Sequence, residues 1–216
     1  MVVTPTDDAQ SPETVAPEIV TEGSGWFEQL GDRAELDVSF TAVARSRSAA
    51  VSELGRRVAG AEPALQRSGL EVRHRRLRVH HEWRDGRVVG CRAAEDLALL
   101  VTDVSALDEV LSALVGAEPT DLRGPHWVLA DPAAALREAQ QRAVADARVR
   151  AEGYAAALGG GLGPLRRLSE AAEHSAPMAY RTAAVESGGP DVRALGLEPE
   201  PVRVTARCTT TWALLP

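Results

Sequence analysis

The tetrapeptide Arg84-Asp85-Gly86-Arg87 separates two strand-like segments, residues 70–83 and 87–101. Asp-Gly accepts the positive φ angles of a tight two-residue turn, so the two segments are expected to fold back on each other as a hairpin. A hairpin of this length commits the chain to an antiparallel sheet, and the remaining elements must fit around it.

They do so in a regular order. Residues 34–44 alternate, with Ala34, Leu36, Val38, Phe40, Ala42 and Ala44 on one side, and period two marks a half-buried strand. Val51, Leu54, Val58, Ala61 and Leu65 then recur at helical spacing. Gly60 and Pro63 lie inside that pattern and predict a kink or break, and Gly69 ends it. After the hairpin, Leu107, Val110, Leu111, Leu114 and Val115 define a second helix, for which Ser105 and Asp108 resemble a capping box. A strand follows near 122–129. Asp131-Pro132 supplies an N-cap and a first-turn proline for a third helix running to about Leu158, where Gly159-Gly160-Gly161 stops it. Residues 164–170 and 202–214 complete the set as strands. The order β-α-β-β-α-β-α-β-β predicts an α+β fold, a mainly antiparallel sheet with helices packed on one face.

Charge divides the chain. All 24 bases are arginine, and the net charge is −7. Residues 1–32 hold seven acids and no base, so the remainder is neutral overall and carries no general field for nucleic acid or an anionic membrane. Residues 1–24 read as a disordered acidic tail, 25–216 as a single domain, and 174–200, rich in Pro, Gly and Ala, as a long mobile loop. The N-terminus shows no basic or apolar signal region, which predicts a cytoplasmic location, and no apolar run is long enough for a membrane span. Cys91 and Cys208 both fall in strand-like segments and are expected as buried thiols.

Several groups carry possible chemistry. His80-His81-Glu82 could contribute to a metal-dependent enzyme together with His126 or Cys91, but adjacent strand histidines point to opposite faces. Arg73, Arg75, Arg76, Arg78, Arg84, Arg87 and Arg92 could follow a phosphate backbone. Only Trp83 stands near them for base stacking, and Glu71, Glu82, Glu95 and Asp96 are available to pair with them. Gly159-Gly160-Gly161-Leu162-Gly163 follows a helix, so it reads as a helix stop and not as a phosphate cradle. No nucleophile elbow is present in the sequence. The expected protein is non-enzymatic, with no cofactor and no metal site. The metal-dependent enzyme and the single-stranded nucleic-acid binder are the alternatives.

On the third helix Ala139, Ala143, Ala147, Ala151 and Ala155 recur every four residues. Each step turns about 40° beyond a full circle, so the ladder drifts about 160° around the helix. One flat sheet would not cover that arc. Part of the ladder is therefore expected to face the sheet, and part to form an interface with either the first helix or another subunit.

GRVVGCRAAEDLALLVTDVSALDEVLSAL, then WVLADPAAALREAQQRAVADARVRAEGYAAALGGGLGPLRRLSE, together with the alternating final strand, resemble the SIMPL-domain family over about residues 33–215. The long helix with its Leu-Gly exit and Ser-Glu strand is the specific part. Two steps differ from the family pattern: Gly116-Ala117-Glu118-Pro119 stands where members often carry Gly-Ala-Asn, and Gly90-Cys91 where Gly-Tyr is usual. The resemblance implies a binding or assembly protein that forms a homo-oligomer, is linked to stress defence or signalling, and takes a protein partner of unknown identity. It supplies no catalytic residues.

Overall fold

The computed structural model describes residues 17–170 and 195–216. In chain order these form β1 (Glu18–Leu30), β2 (Arg33–Ala44), α1 (Arg47–Ala59), α2 (Glu62–Leu65), β3 (Leu70–Arg84), β4 (Arg87–Val101), α3 (Leu107–Gly116), β5 (Asp121–Val128), α4 (Pro132–Ala157), β6 (Gly161–Glu170) and β7 (Pro201–Leu215). The fold is α+β, as expected, but the strands make two sheets instead of one, with orders β3-β4-β2-β5 and β1-β7-β6. The described residues separate into two compact units. One comprises 28–135 and 195–203, the other 17–27, 136–170 and 204–216.

The four-stranded unit is built by the hairpin and the elements flanking it. Asp85 and Gly86 take φ of 51° and 74°, the positive values that Asp tolerates and that Gly, lacking a Cβ, adopts freely. β2 pairs antiparallel with both β4 and β5, and β3 pairs antiparallel with β4. The β-α-β-β-α-β succession with this strand order is the split, ferredoxin-like arrangement. Leu36, Val38 and Phe40 on β2 and Leu97, Leu99 and Val101 on β4 share one face. They are buried with Leu54 and Val58 of α1 and Val110, Leu111 and Leu114 of α3 in a single apolar cluster.

Local signals explain the boundaries. Gly60 ends α1, and α2 starts afresh around Pro63, which realises the expected break. The capping box read at Ser105 and Asp108 is not formed. The acceptor is Asp103, whose Oδ1 receives both the Ser105 amide at 3.0 Å and its hydroxyl at 2.6 Å. Asp103 precedes a 3-10 turn over Val104–Ala106 that leads into α3, so the first capped turn begins earlier than the helical spacing suggested. Asp131 caps α4 through the Ala134 amide, next to Pro132.

The three-stranded unit corrects the reading of the N-terminus. Residues 18–24 are not tail: they belong to β1, and Ile19 and Thr21 are buried. Its inward positions are Ile19, Thr21, Gly23 and Gly25, mostly small or polar side chains that produce no apolar alternation. The acids Glu18, Glu22 and Glu28 fall on the outward, exposed positions. Residues 1–16 of the expected tail and 174–194 of the expected loop lie outside the described residues.

Candidate functional site

The alanine ladder packs within its own unit. Ala139, Ala143 and Ala147 cluster with Ala206 and Cys208 of β7, and Ala151 and Ala155 with Ile19 of β1 and Trp212 of β7. All five alanines are at most 1% exposed. The expected interface at Ala139, Ala143, Ala147, Ala151 and Ala155 is therefore corrected: this surface is already covered by β1 and β7.

Matching repeats explain the coverage. Two residues of strand rise about 6.7 Å and four residues of helix about 6 Å. Each inward residue of β1 thus meets a successive ladder position, from Gly25 at Ala139 to Ile19 at Ala151 and Ala155. A Cβ on Gly23 or Gly25 would overlap the carbonyl oxygen of Ala143 or Ala139. Only glycine lets strand and helix backbones approach this closely. The drift of the ladder is taken up because two strands of a twisted sheet receive it.

Buried hydroxyls lock this packing. Thr21 Oγ1 donates to the Ala147 carbonyl at 2.8 Å and lies 3.0 Å from Thr210 Oγ1, to which Trp212 Nε1 donates at 2.8 Å. Cys208 is buried in the same layer, and burial raises its thiol pKa, with Asp146 adding to the effect. Cys208 and Cys91 are both free, buried thiols.

The histidines do not converge. His80 and His81 lie on β3, and His126 lies on β5, at opposite edges of the four-stranded sheet. Three strand spacings, about 14 Å, separate those edges. His81 Nδ1 is 3.4 Å from Cys91 Sγ across the hairpin. Among the described residues no group of three or more His, Cys, Asp or Glu is placed to hold a metal ion. The metal-dependent alternative through His80 or His81 with His126 therefore has no geometric basis.

Four of the seven hairpin arginines are paired with carboxylates, and Arg76, Arg84 and Arg87 form no ion pair among the described residues. Arg73 pairs with Glu71 at 3.2 Å, Arg78 with Asp96 at 2.7 Å, and Arg75 with Glu62 and Glu95, each at 2.8 Å. Arg92 pairs with Glu82, whose carboxyl is held below the usual range chiefly by that hydrogen bond. The four pairs reduce the charge that the hairpin could offer to a nucleic-acid backbone.

One feature of the hairpin escaped the sequence reading. On β4 burial begins at Gly90; Arg87, Val88 and Val89 are exposed. Trp83, which faces Val88 across the strands, is 64% exposed. Element lengths carried the signal. A strand of 15 residues spans about 50 Å, whereas the 13 residues of α1 span about 20 Å. No helix of that size can cover the whole hairpin, and its far end is left bare.

A shallow cleft in the four-stranded unit is lined by Leu30, Asp32, Thr102, Asp103 and Pro199 among others. Its carboxylates are engaged: Asp32 accepts from the Ala130 amide at 2.6 Å, and Asp103 caps the turn before α3.

The succession of hairpin, capped long helix, glycine exit and alternating last strand is that of a described family. The model for SIMPL, a protein of unknown function (DUF541), matches residues 19–212, and the chain belongs to that family. It is similar to the uncharacterized protein YggE of Edwardsiella ictaluri (strain 93-146). The two are 27% identical over 165 residues, covering 73% of this chain and 68% of that protein.

Proposed function

We propose that this chain is a non-enzymatic assembly and binding protein that forms a homo-oligomer through its outer strands. The observation that carries this reading is β3. It is an outermost strand of its sheet, exposed over most of its length, with Leu77 57% and Val72 38% exposed. A long exposed edge with apolar side chains is a template for pairing with another strand.

Charge selects the partner edge. β3 against a second β3 would oppose arginines, which is unfavourable. β1 is an outermost strand of the other sheet, and its exposed positions include Glu18, Val20 and Glu22. An acidic edge of one copy against the arginine-rich edge of the next is complementary. Such a head-to-tail contact builds rings or filaments. A role in stress defence or signalling accords with the family resemblance and belongs to the same proposal.

Light scattering after size exclusion tests it. Leu77→Glu places a negative charge opposite the acidic edge without touching the core, and should lower the assembled mass while leaving the melting temperature unchanged. A wild-type chain that runs as a monomer at tens of micromolar removes the reading.

A further inference from the structure

We propose that the tip of the β3–β4 hairpin binds an anionic lipid surface. Trp83, Val88 and Val89 are 64%, 49% and 53% exposed at the end of the hairpin that the helices do not reach. Trp83 and Val88 are cross-strand partners, which places both on one side of the tip.

The second observation is electrostatic and independent of the first. Arg84 faces Arg87 directly across the strands. Like charges in that position are destabilising. Arg73, Arg75, Arg78 and Arg92 all have carboxylate partners, whereas Arg84 and Arg87 form no ion pair among the described residues. Asp85 lies between them in the turn and offsets one charge. Of the three hairpin arginines without an ion pair among the described residues, Arg76 lies mid-strand, and Arg84 and Arg87 lie at the tip, on the face opposite Trp83 and Val88, so that a tip entering end-on carries both.

That combination fits a bilayer of anionic lipid. The arginines meet headgroup phosphates, the indole sits at the headgroup level, and the two valines reach the acyl boundary. Valine has no flat face on which a base could stack, and a hairpin tip is convex where strand-tracking grooves are concave. Both features favour lipid over single-stranded nucleic acid. The overall acidity of the chain does not oppose this, because salt screens charges beyond about 8 Å at physiological ionic strength.

Flotation of the full chain with vesicles tests the inference. Vesicles of phosphatidylcholine with phosphatidylglycerol should carry the protein, pure phosphatidylcholine vesicles should carry much less, and added salt should release it. Arg84→Ser and Arg87→Ser should each weaken binding about fivefold. Trp83→Ala should weaken it while leaving the far-ultraviolet spectrum and the melting temperature unchanged, since Trp83 lies outside the core. Failure to float with the anionic vesicles overturns the proposal, and so does binding that these three variants leave unchanged. Equally tight, variant-sensitive binding to a single-stranded oligonucleotide would also overturn it, in favour of nucleic acid. None of these outcomes depends on the oligomeric state.

Discussion

Thr21 on β1 donates its hydroxyl proton to the carbonyl of Ala147 on α4, 126 positions further along the chain. A hydroxyl has one proton and Thr21 gives its own to Ala147, so Thr210 is the donor between the two, its proton shared by the Thr21 hydroxyl oxygen at 3.0 Å and the Thr21 carbonyl at 3.3 Å. The bonds therefore run one way: Trp212 N–H to Thr210, Thr210 to Thr21, Thr21 to Ala147. Removing the middle should cost most. Thr210→Val leaves the buried Trp212 N–H unpaired and should cost about 1–3 kcal/mol. Thr21→Val leaves Ala147 its helical partner and should cost about 1 kcal/mol. Urea unfolding of the two variants checks the order.

The close approach of β1 to α4 separates two kinds of glycine. Gly23→Ala would drive a methyl into the Ala143 carbonyl and should cost about 3 kcal/mol, the upper end for overpacking. Gly55, in α1, has open space around its missing side chain. Gly55→Ala should stabilise by about 0.5–1 kcal/mol, the ordinary gain of alanine over glycine in a helix. Thermal melts should move in opposite directions.

The ladder is core, so Ala147→Glu should unfold the protein and not dissociate an assembly. It buries an unpaired carboxylate where the native side chain is 0% exposed. Circular dichroism reports the outcome. A folded, monomeric Ala147→Glu variant would instead mark the ladder as a contact between copies.

These differences show what the sequence could and could not disclose. The hairpin and α4 were legible because Asp85-Gly86 and Asp131-Pro132 are local devices that need no partner to be recognised. The spacing of Ala139 through Ala155 was legible as well, but not what it met. Its partner is a strand whose inward residues are Thr21, Gly23 and Gly25, and these read as loop composition beside an acidic run. They face inward because the α4 backbone comes close, a tertiary reason that no local pattern contains. Removal of residues 1–24 should therefore lower the melting temperature sharply, since it strips Ile19, Thr21 and Gly23 from the layer against α4.

Titration should bound stability on both sides. Burial holds the Cys208 thiol above its ordinary pKa, so the unfolded chain loses that proton first and stability falls as pH rises beyond about 9.0. Cys208→Ala should flatten the alkaline limb. Asp146 behaves in the opposite sense. Its carboxyl is held below its ordinary value by the Ser24 amide first and Arg150 second. The contribution of Asp146 is present above about pH 3.8 and is lost as pH falls through its lowered folded value. Melting temperatures across pH for wild type, Cys208→Ala and Asp146→Asn check both limbs.

Assembly through outer strands is tested most directly by the absolute mass of the native full chain, from light scattering coupled to size exclusion at tens of micromolar. The predicted result is a multiple of 22.9 kDa that falls with added salt and with Leu77→Glu. A single species of 22.9 kDa, unchanged by either, would contradict it.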